Sequence, residues 1–197
     1  EGLFENYEVK GVVTQPDKKV GREGKITEPQ VKKCALEHMT LVLQPENIKE
    51  QWQDVVSLHP NLIITCAYGQ ILPRELLVYP EYGCINVHAS LLPKLRGGAP
   101  IHHAIMDGYK ETGMTIMYMS PEMDEGDIIS QKKIAIDDDD TAESLHDKLS
   151  IIGRDLLLET IPSIVDKTAT RIKQNDDEAT YAYNITKEDE RIDFSAT

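Results

Sequence analysis

Two side chains that can handle charge and protons, Asn86 and His88, flank the apolar Val87. A carboxylate, Asp124, follows thirty-eight residues after Asn86 in the run Met123-Asp124-Glu125-Gly126-Asp127. An amide donates to developing negative charge, an imidazole exchanges protons near neutrality, and a carboxylate favours the charged imidazole. The preceding run, Gly83-Cys84-Ile85, is short and apolar, as expected of a buried parallel strand. Residues two apart on a strand share a face, so Asn86 and His88 reach one point at its carboxyl end. That edge is where ligands bind in open α/β sheets. A lone His88 reads as a hydrogen-bonded core histidine; with Asn86 at i−2 and the loop that follows, acid–base chemistry is the expectation.

That loop, NVHASLLPKLRGGAP over residues 86–100, carries a Leu-Leu-Pro turn, a Gly97-Gly98 pair and a proline that can start a helix. Backbone near glycine can approach a ligand closely. The Asp-Glu-Gly-Asp run between two apolar stretches permits a tight turn that aims Asp124 back at the sheet edge.

The elements that must position these groups alternate along the chain. Strands are predicted over 7–15, 39–43, 62–67, 83–88, 113–119 and 128–136. Helices are predicted over 27–38, with Thr27 as N-cap and Pro29 in the first turn, over 46–58, and over 100–106. The longest helix runs from 141 to about 166, where Leu145, Leu149, Ile152 and Leu156 recur at helical spacing as a buried face. The Asp137–Asp140 run reads as a solvated turn before it, with Asp140 or Thr141 as cap. Strands alternating with helices imply a wound α/β fold with a mainly parallel sheet. The opening residues 1–6 resemble the end of a helix with no strand before it, so the first strand is expected to be lacking. After 167 the chain is polar and acidic, with short apolar patches at 181–185 and 192–194, and reads as a lead-out strand and linker.

Composition narrows the function. A formal charge of −13 over 197 residues argues against general nucleic-acid affinity, which needs clustered Lys and Arg. The charge is uneven, however: residues 17–33 hold six bases against three acids, whereas 137–197 hold sixteen acids against seven bases. One basic segment could therefore meet a polyanion locally. No apolar run approaches the roughly 18–20 residues of a membrane span. Cys34, Cys66 and Cys84 are scattered in apolar settings and read as buried free thiols in a reducing compartment. Adjacent His102 and His103 have poor metal-ligand spacing for a helix, and no metal site is expected. Residues 21–27 echo a phosphate loop, but its first glycine would fall at Lys19. Asn184-Ile185-Thr186 fits a glycosylation sequon without a secretory context.

The segments 86–100, 113–119 (GMTIMYM) and 123–129 (MDEGDII) resemble the 10-formyltetrahydrofolate-dependent formyltransferase family. The stretches GVVTQPD (11–17), GQILP (69–73) and GGAPIH (97–102), with the QPD…VGR loop and Ala179–Ala182, are similar to its methionyl-tRNA branch. The resemblance covers almost the whole chain. It implies a Rossmann-like sheet with the folate site at its carboxyl edge, in a catalytic unit over 1–168 that is incomplete at its start. Residues 169–197 would lead toward a C-terminal β-barrel domain absent here.

For chemistry, the resemblance implies formyl transfer from the folate to the α-amine of initiator methionyl-tRNA. Asn86 and a protonated His88 would donate to the oxyanion, and Asp124 would orient His88 and help move the proton. Ser90, Leu91, Leu92 and Pro93 would line the folate site, with Gly69, Gln70, Ile71 and Leu72 as a pterin wall. Lys18, Lys19, Arg22 and Lys25 would contact the tRNA acceptor stem. A monomeric cytoplasmic enzyme, of bacterial or organellar origin, needing neither metal nor membrane, is implied. A sugar-nucleotide N-formyltransferase sharing the site, or a folate-binding module without turnover, are the alternatives.

Overall fold

A computed structural model describes residues 1–20 and 25–189. The chain runs α1 (Gly2–Asn6), β1 (Val12–Val13), β2 (Lys18–Val20), β3 (Lys25–Thr27), α2 (Gln30–Glu37), β4 (Val42–Leu43), α3 (Ile48–Val56) and β5 (Ile63–Thr65). It continues through α4 (Arg74–Val78), β6 (Cys84–His88), α5 (Pro100–Met106), β7 (Glu111–Tyr118), β8 (Ile128–Ala135), α6 (Ala142–Val165) and a 3-10 turn at Asp176–Glu178. The expected α/β class is borne out. β1 and β4 pair in parallel, and the main sheet has the order β5-β6-β7-β8. Within it β5 and β6 are parallel, while β7 runs antiparallel to both β6 and β8. The sheet is therefore mixed, and its parallel pair is the one that carries Asn86.

Alternation along β6 sorts its side chains. Ile85 and Val87 join one core, with Met114 and Ile116 from β7, Ile129 from β8, and Leu145, Leu149, Leu156 and Ile161 from α6. Cys84, on the opposite face, joins Ile48 and Val55 of α3 and Leu76 of α4. Asn86 and His88 share the face of Cys84 and continue it to the strand's end. The helical spacing read for α6 holds at Leu145, Leu149 and Leu156, whereas Ile152 is only half-buried. Gly153 lets α6 lie close to the sheet, since a Cβ there would come within 2.8 Å of the Met114 methyl. Thr141 caps α6, accepting from the Ser144 N–H while Ser144 Oγ accepts from the Thr141 N–H, which leaves Asp140 to bind Ser144 and Lys148 from outside.

Several expectations change. The strand over 7–15 shrinks to Val12–Val13. Helix α2 begins at Gln30, with Pro29 at its N-cap, because Thr27 belongs to β3, which pairs antiparallel with β2. The polar segment read as a loop is thus a hairpin, and its base is fastened at Asp17. Lys32 Nζ donates to Asp17 Oδ2 at 2.7 Å and Gln44 Nε2 to Oδ1 at 2.8 Å. The Gln44 and Lys32 hydrogen bonds hold the Asp17 carboxyl below its usual range. Helix α4 is short and lacks a full amphipathic period, and sequence reasoning missed it. The three thiols are free, but only Cys84 is buried and Cys66 is exposed. Burial pushes the Cys84 thiol up to about 12. Among the described residues no helix is long and apolar enough to cross a membrane, and no group of three or more His, Cys, Asp or Glu converges on a metal position.

Candidate active site

The structure brings Asn86, His88 and Asp124 together. Asn86 sits opposite Thr65 in the β5–β6 ladder, and Thr65 Oγ1 donates to Asn86 Oδ1 at 2.9 Å. The amide nitrogen then faces Asp124 Oδ1 at 3.5 Å. The flipped amide would set two oxygens against each other at that distance, so the donor side of Asn86 is the side presented to the site. Thr65 was invisible to sequence reasoning because its importance comes from register alone.

His88 is buried, 5% exposed. Its Nε2 lies 2.9 Å from the Leu95 carbonyl oxygen, an acceptor only, so Nε2 carries the proton. Nδ1 lies 3.7 Å from Asp124 Oδ2, beyond hydrogen-bond length, and is the ring position left to gain or lose a proton. With Nε2 bonded to the backbone, any role of His88 in chemistry falls to Nδ1. Leu95 reaches this position with a left-handed backbone, φ +58°.

Asp124 also takes a left-handed conformation, φ +56°. Its Oδ2 accepts from the Gly97 N–H at 2.9 Å. Gly97 itself has φ +123°, and a Cβ there would meet the Ala182 carbonyl oxygen at 2.5 Å, so only glycine fits. The polar tail beyond α6 explains that close approach. It returns along the site loop, where Arg96 N donates to Thr180 O at 2.8 Å and Ala182 N to Arg96 O at 2.7 Å. Ala182 is fully buried. Gln174 and Arg96, both buried, link this tail to the turn that bears Asp124; no motif signalled either role.

The remaining candidates divide by orientation. Ser90 is buried and bonds Lys94 O, and its own carbonyl accepts from Thr115 Oγ1 at 2.6 Å. Leu92 is buried against Met117 and Ile128. Both shape the loop from inside, while Leu91 and Pro93, joined to it through a cis Leu92–Pro93 peptide, remain partly exposed. In the loop after β5, Leu72 packs in the second core and Gln70 Oε1 accepts from the Ile48 N–H, capping α3. Gly69 and Ile71 are exposed. Lys18 is exposed on the hairpin, Lys19 and Lys25 lie on its ladder, and Arg22 is outside the described residues.

The arrangement is a strand end with one oriented amide donor, one buried imidazole whose Nδ1 faces a fixed carboxylate, and a partly apolar rim. Residues 4–161 match the family model described as formyl transferase. A protein named methionyl-tRNA formyltransferase from Lysinibacillus sphaericus is 55% identical over 193 residues, covering 97% of this chain. The chain spans 62% of that relative's length. The fold is similar to phosphoribosylglycinamide formyltransferase from Bacillus halodurans, with TM-score 0.70 and 26% identity over 82% of this chain and 83% of that one. It is also similar to the formyltransferase PseJ from Anoxybacillus kamchatkensis, solved with a formamido sugar nucleotide and tetrahydrofolate, with TM-score 0.65 and 22% identity over 91% and 87% of the two chains. A family match over most of the chain and a relative sharing more than half its residues establish that the chain belongs to the formyl transferase family.

Proposed function

We propose that this protein transfers a formyl group from 10-formyltetrahydrofolate to the α-amine of initiator methionyl-tRNA. The observation that carries this reading is the convergence of the Asn86 amide, His88 Nδ1 and the Asp124 carboxylate at the carboxyl edge of β5 and β6. The 55% identical methionyl-tRNA formyltransferase supports the choice of acceptor, and the tetrahydrofolate bound by PseJ supports the donor. The folate, as substrate, supplies the formyl carbon. Exposed Ile71 and half-buried Leu91 and Pro93 offer an apolar rim for its ring, with Gly69 leaving the backbone accessible.

Asn86 Nδ2, oriented through Thr65, donates toward the formyl oxygen as negative charge develops there. His88 Nδ1 accepts the proton lost by the attacking amine, and Asp124 stabilises the resulting imidazolium from 3.7 Å. The same proton is then at hand for the departing folate nitrogen. Lys18, Lys19, Arg22 and Lys25 present positive charge to the acceptor stem, and the Asp17 cluster anchors the base of the segment that carries them. In this reading residues 1–168 are the catalytic unit of a cytoplasmic monomer, and 169–197 lead out of it after walling the site.

The test is formyl transfer by the enzyme as encoded, with methionyl-tRNA compared against amino-sugar nucleotides. Transfer to methionyl-tRNA is expected, with Asn86→Ala, His88→Ala and Asp124→Ala each losing about 10²–10³-fold in kcat while remaining folded. A folded Asp124→Ala variant with full activity refutes its role. Preference for an amino sugar, or folate binding without turnover, refutes the assigned function.

A further inference from the structure

The turn that carries Asp124 is held from behind by a polar group that the chemistry does not use. Gln174 is 5% exposed, and its side-chain nitrogen donates to two carbonyls of that turn, Asp124 O at 2.8 Å and Gly126 O at 2.8 Å. Its oxygen accepts from Arg96, from Nε at 3.1 Å and from Nη2 at 2.9 Å. Arg96 is 1% exposed and extends the brace, donating to Asp176 at 2.8 Å and lying 3.3 Å from the Glu125 carboxylate. All four hydrogen-bonding positions of the Gln174 amide are thereby filled. Just before Gln174, Ile172 bridges antiparallel to Ile128, which sets the tail beside the turn.

A left-handed backbone is unfavourable for a residue other than glycine and persists where surrounding contacts over-determine it. Asp124 is such a residue, and from this conformation its carboxylate accepts from Gly97 N and Asn86 Nδ2 and lies 3.7 Å from His88 Nδ1. We infer that Gln174, braced by Arg96, is a positioning residue that locks the 124–126 turn and so aims the Asp124 carboxylate at Asn86 and His88. The inference rests on the formyl-transfer reading for its kinetic consequence, but the clamp itself does not. A glutamate at 174 keeps the shape and the pairing with Arg96, yet sets a carboxylate oxygen against two carbonyl oxygens. Only the amide can face a guanidinium and two carbonyls at once.

The experiment uses Gln174→Glu and the shorter Gln174→Asn in the enzyme as encoded, with and without Asp124→Ala. Gln174→Glu is expected to lower kcat on the order of 10²-fold, with KM for donor and acceptor within about threefold and a smaller loss in Gln174→Asn. On the Asp124→Ala background neither substitution should lower kcat further, because the group they position is gone. A purely structural role predicts additive losses. Amide hydrogen exchange gives a readout independent of any reaction: the Gly97 amide, which donates to the Asp124 carboxylate, should exchange faster in Gln174→Glu while β6 and β7 keep their protection. Retained kcat, additivity with Asp124→Ala, or unchanged exchange at Gly97 overturns the inference. If the unsubstituted enzyme transfers no formyl group, the functional reading fails, and the clamp stands or falls on the exchange data.

Discussion

Replacing Thr65 by valine removes one hydroxyl and almost no volume, which makes it a sharp probe of the Asn86 amide. The Thr65 hydroxyl has one proton and three acceptors within reach: Asn86 Oδ1 at 2.9 Å, Ile85 O at 3.2 Å and Met119 Sδ at 3.3 Å. The shortest is the bond to Asn86. Its loss frees the amide to rotate, so that its oxygen can present itself where the donor is needed. A hydrogen bond of this kind is worth about 0.5–1.5 kcal/mol net, which corresponds to about a two- to thirteenfold fall in kcat if all of it serves the transition state. Removing the donor outright in Asn86→Ala should cost far more, about 10²–10³-fold. Single-turnover formyl transfer with saturating donor isolates the chemical step. In the double variant the Thr65 effect should vanish, since there is no amide left to orient. Full activity in Thr65→Val, a loss as large as that of Asn86→Ala, or additive losses in the double variant would each refute the role of Thr65 in orienting the amide.

Other outcomes follow from the same geometry. Neutralising Lys18 and Lys19 should raise KM for tRNA without changing kcat, and should reduce the log–log salt slope by about one for each phosphate no longer neutralised. Asp140, hydrogen-bonded by Lys148, then by Ser144 and the Asp137 N–H, has its carboxyl held at about 2, below its ordinary 3.8. Its contribution to stability is therefore present above pH 3.8 and lost as pH falls from there through about 2. Urea titrations should show Asp140→Asn weaker near neutrality and converging with the unsubstituted protein toward pH 2. Leu149, 1% exposed between α6 and the sheet, should lose about 2–5 kcal/mol when truncated to alanine, read as a lowered urea midpoint with an unchanged slope.

What could be read without a structure was what has a local period or a local chemical signature. The apolar run ending in Asn86-Val87-His88 placed two candidate side chains on one strand face, and the spacing of Leu145, Leu149 and Leu156 located the covering face of α6. The Pro100 start placed α5 correctly. The hairpin of β2 and β3 was missed because six residues of polar strand carry no hydrophobic alternation. Thr27 looked like a helix cap in isolation and became a ladder partner of Lys18 once the chain could fold back. The candidate folate-facing residues were read as one undivided segment: sequence alone does not distinguish Leu91, partly exposed, from Leu92, buried against Met117.

By itself, then, the sequence determined the α/β class, the family and the pairing of Asn86 with His88, since each rests on local periodicity or on contiguous motifs. Tertiary structure decided the state in which those groups work. It chose the imidazole nitrogen through Leu95 O, the amide face through Thr65, and the aim of Asp124 through Gly97, Gln174 and Arg96. These partners lie 7 to 78 residues apart. A hydrogen bond is set by distance and angle in space, and its partners across such separations leave no periodicity for a sequence to show.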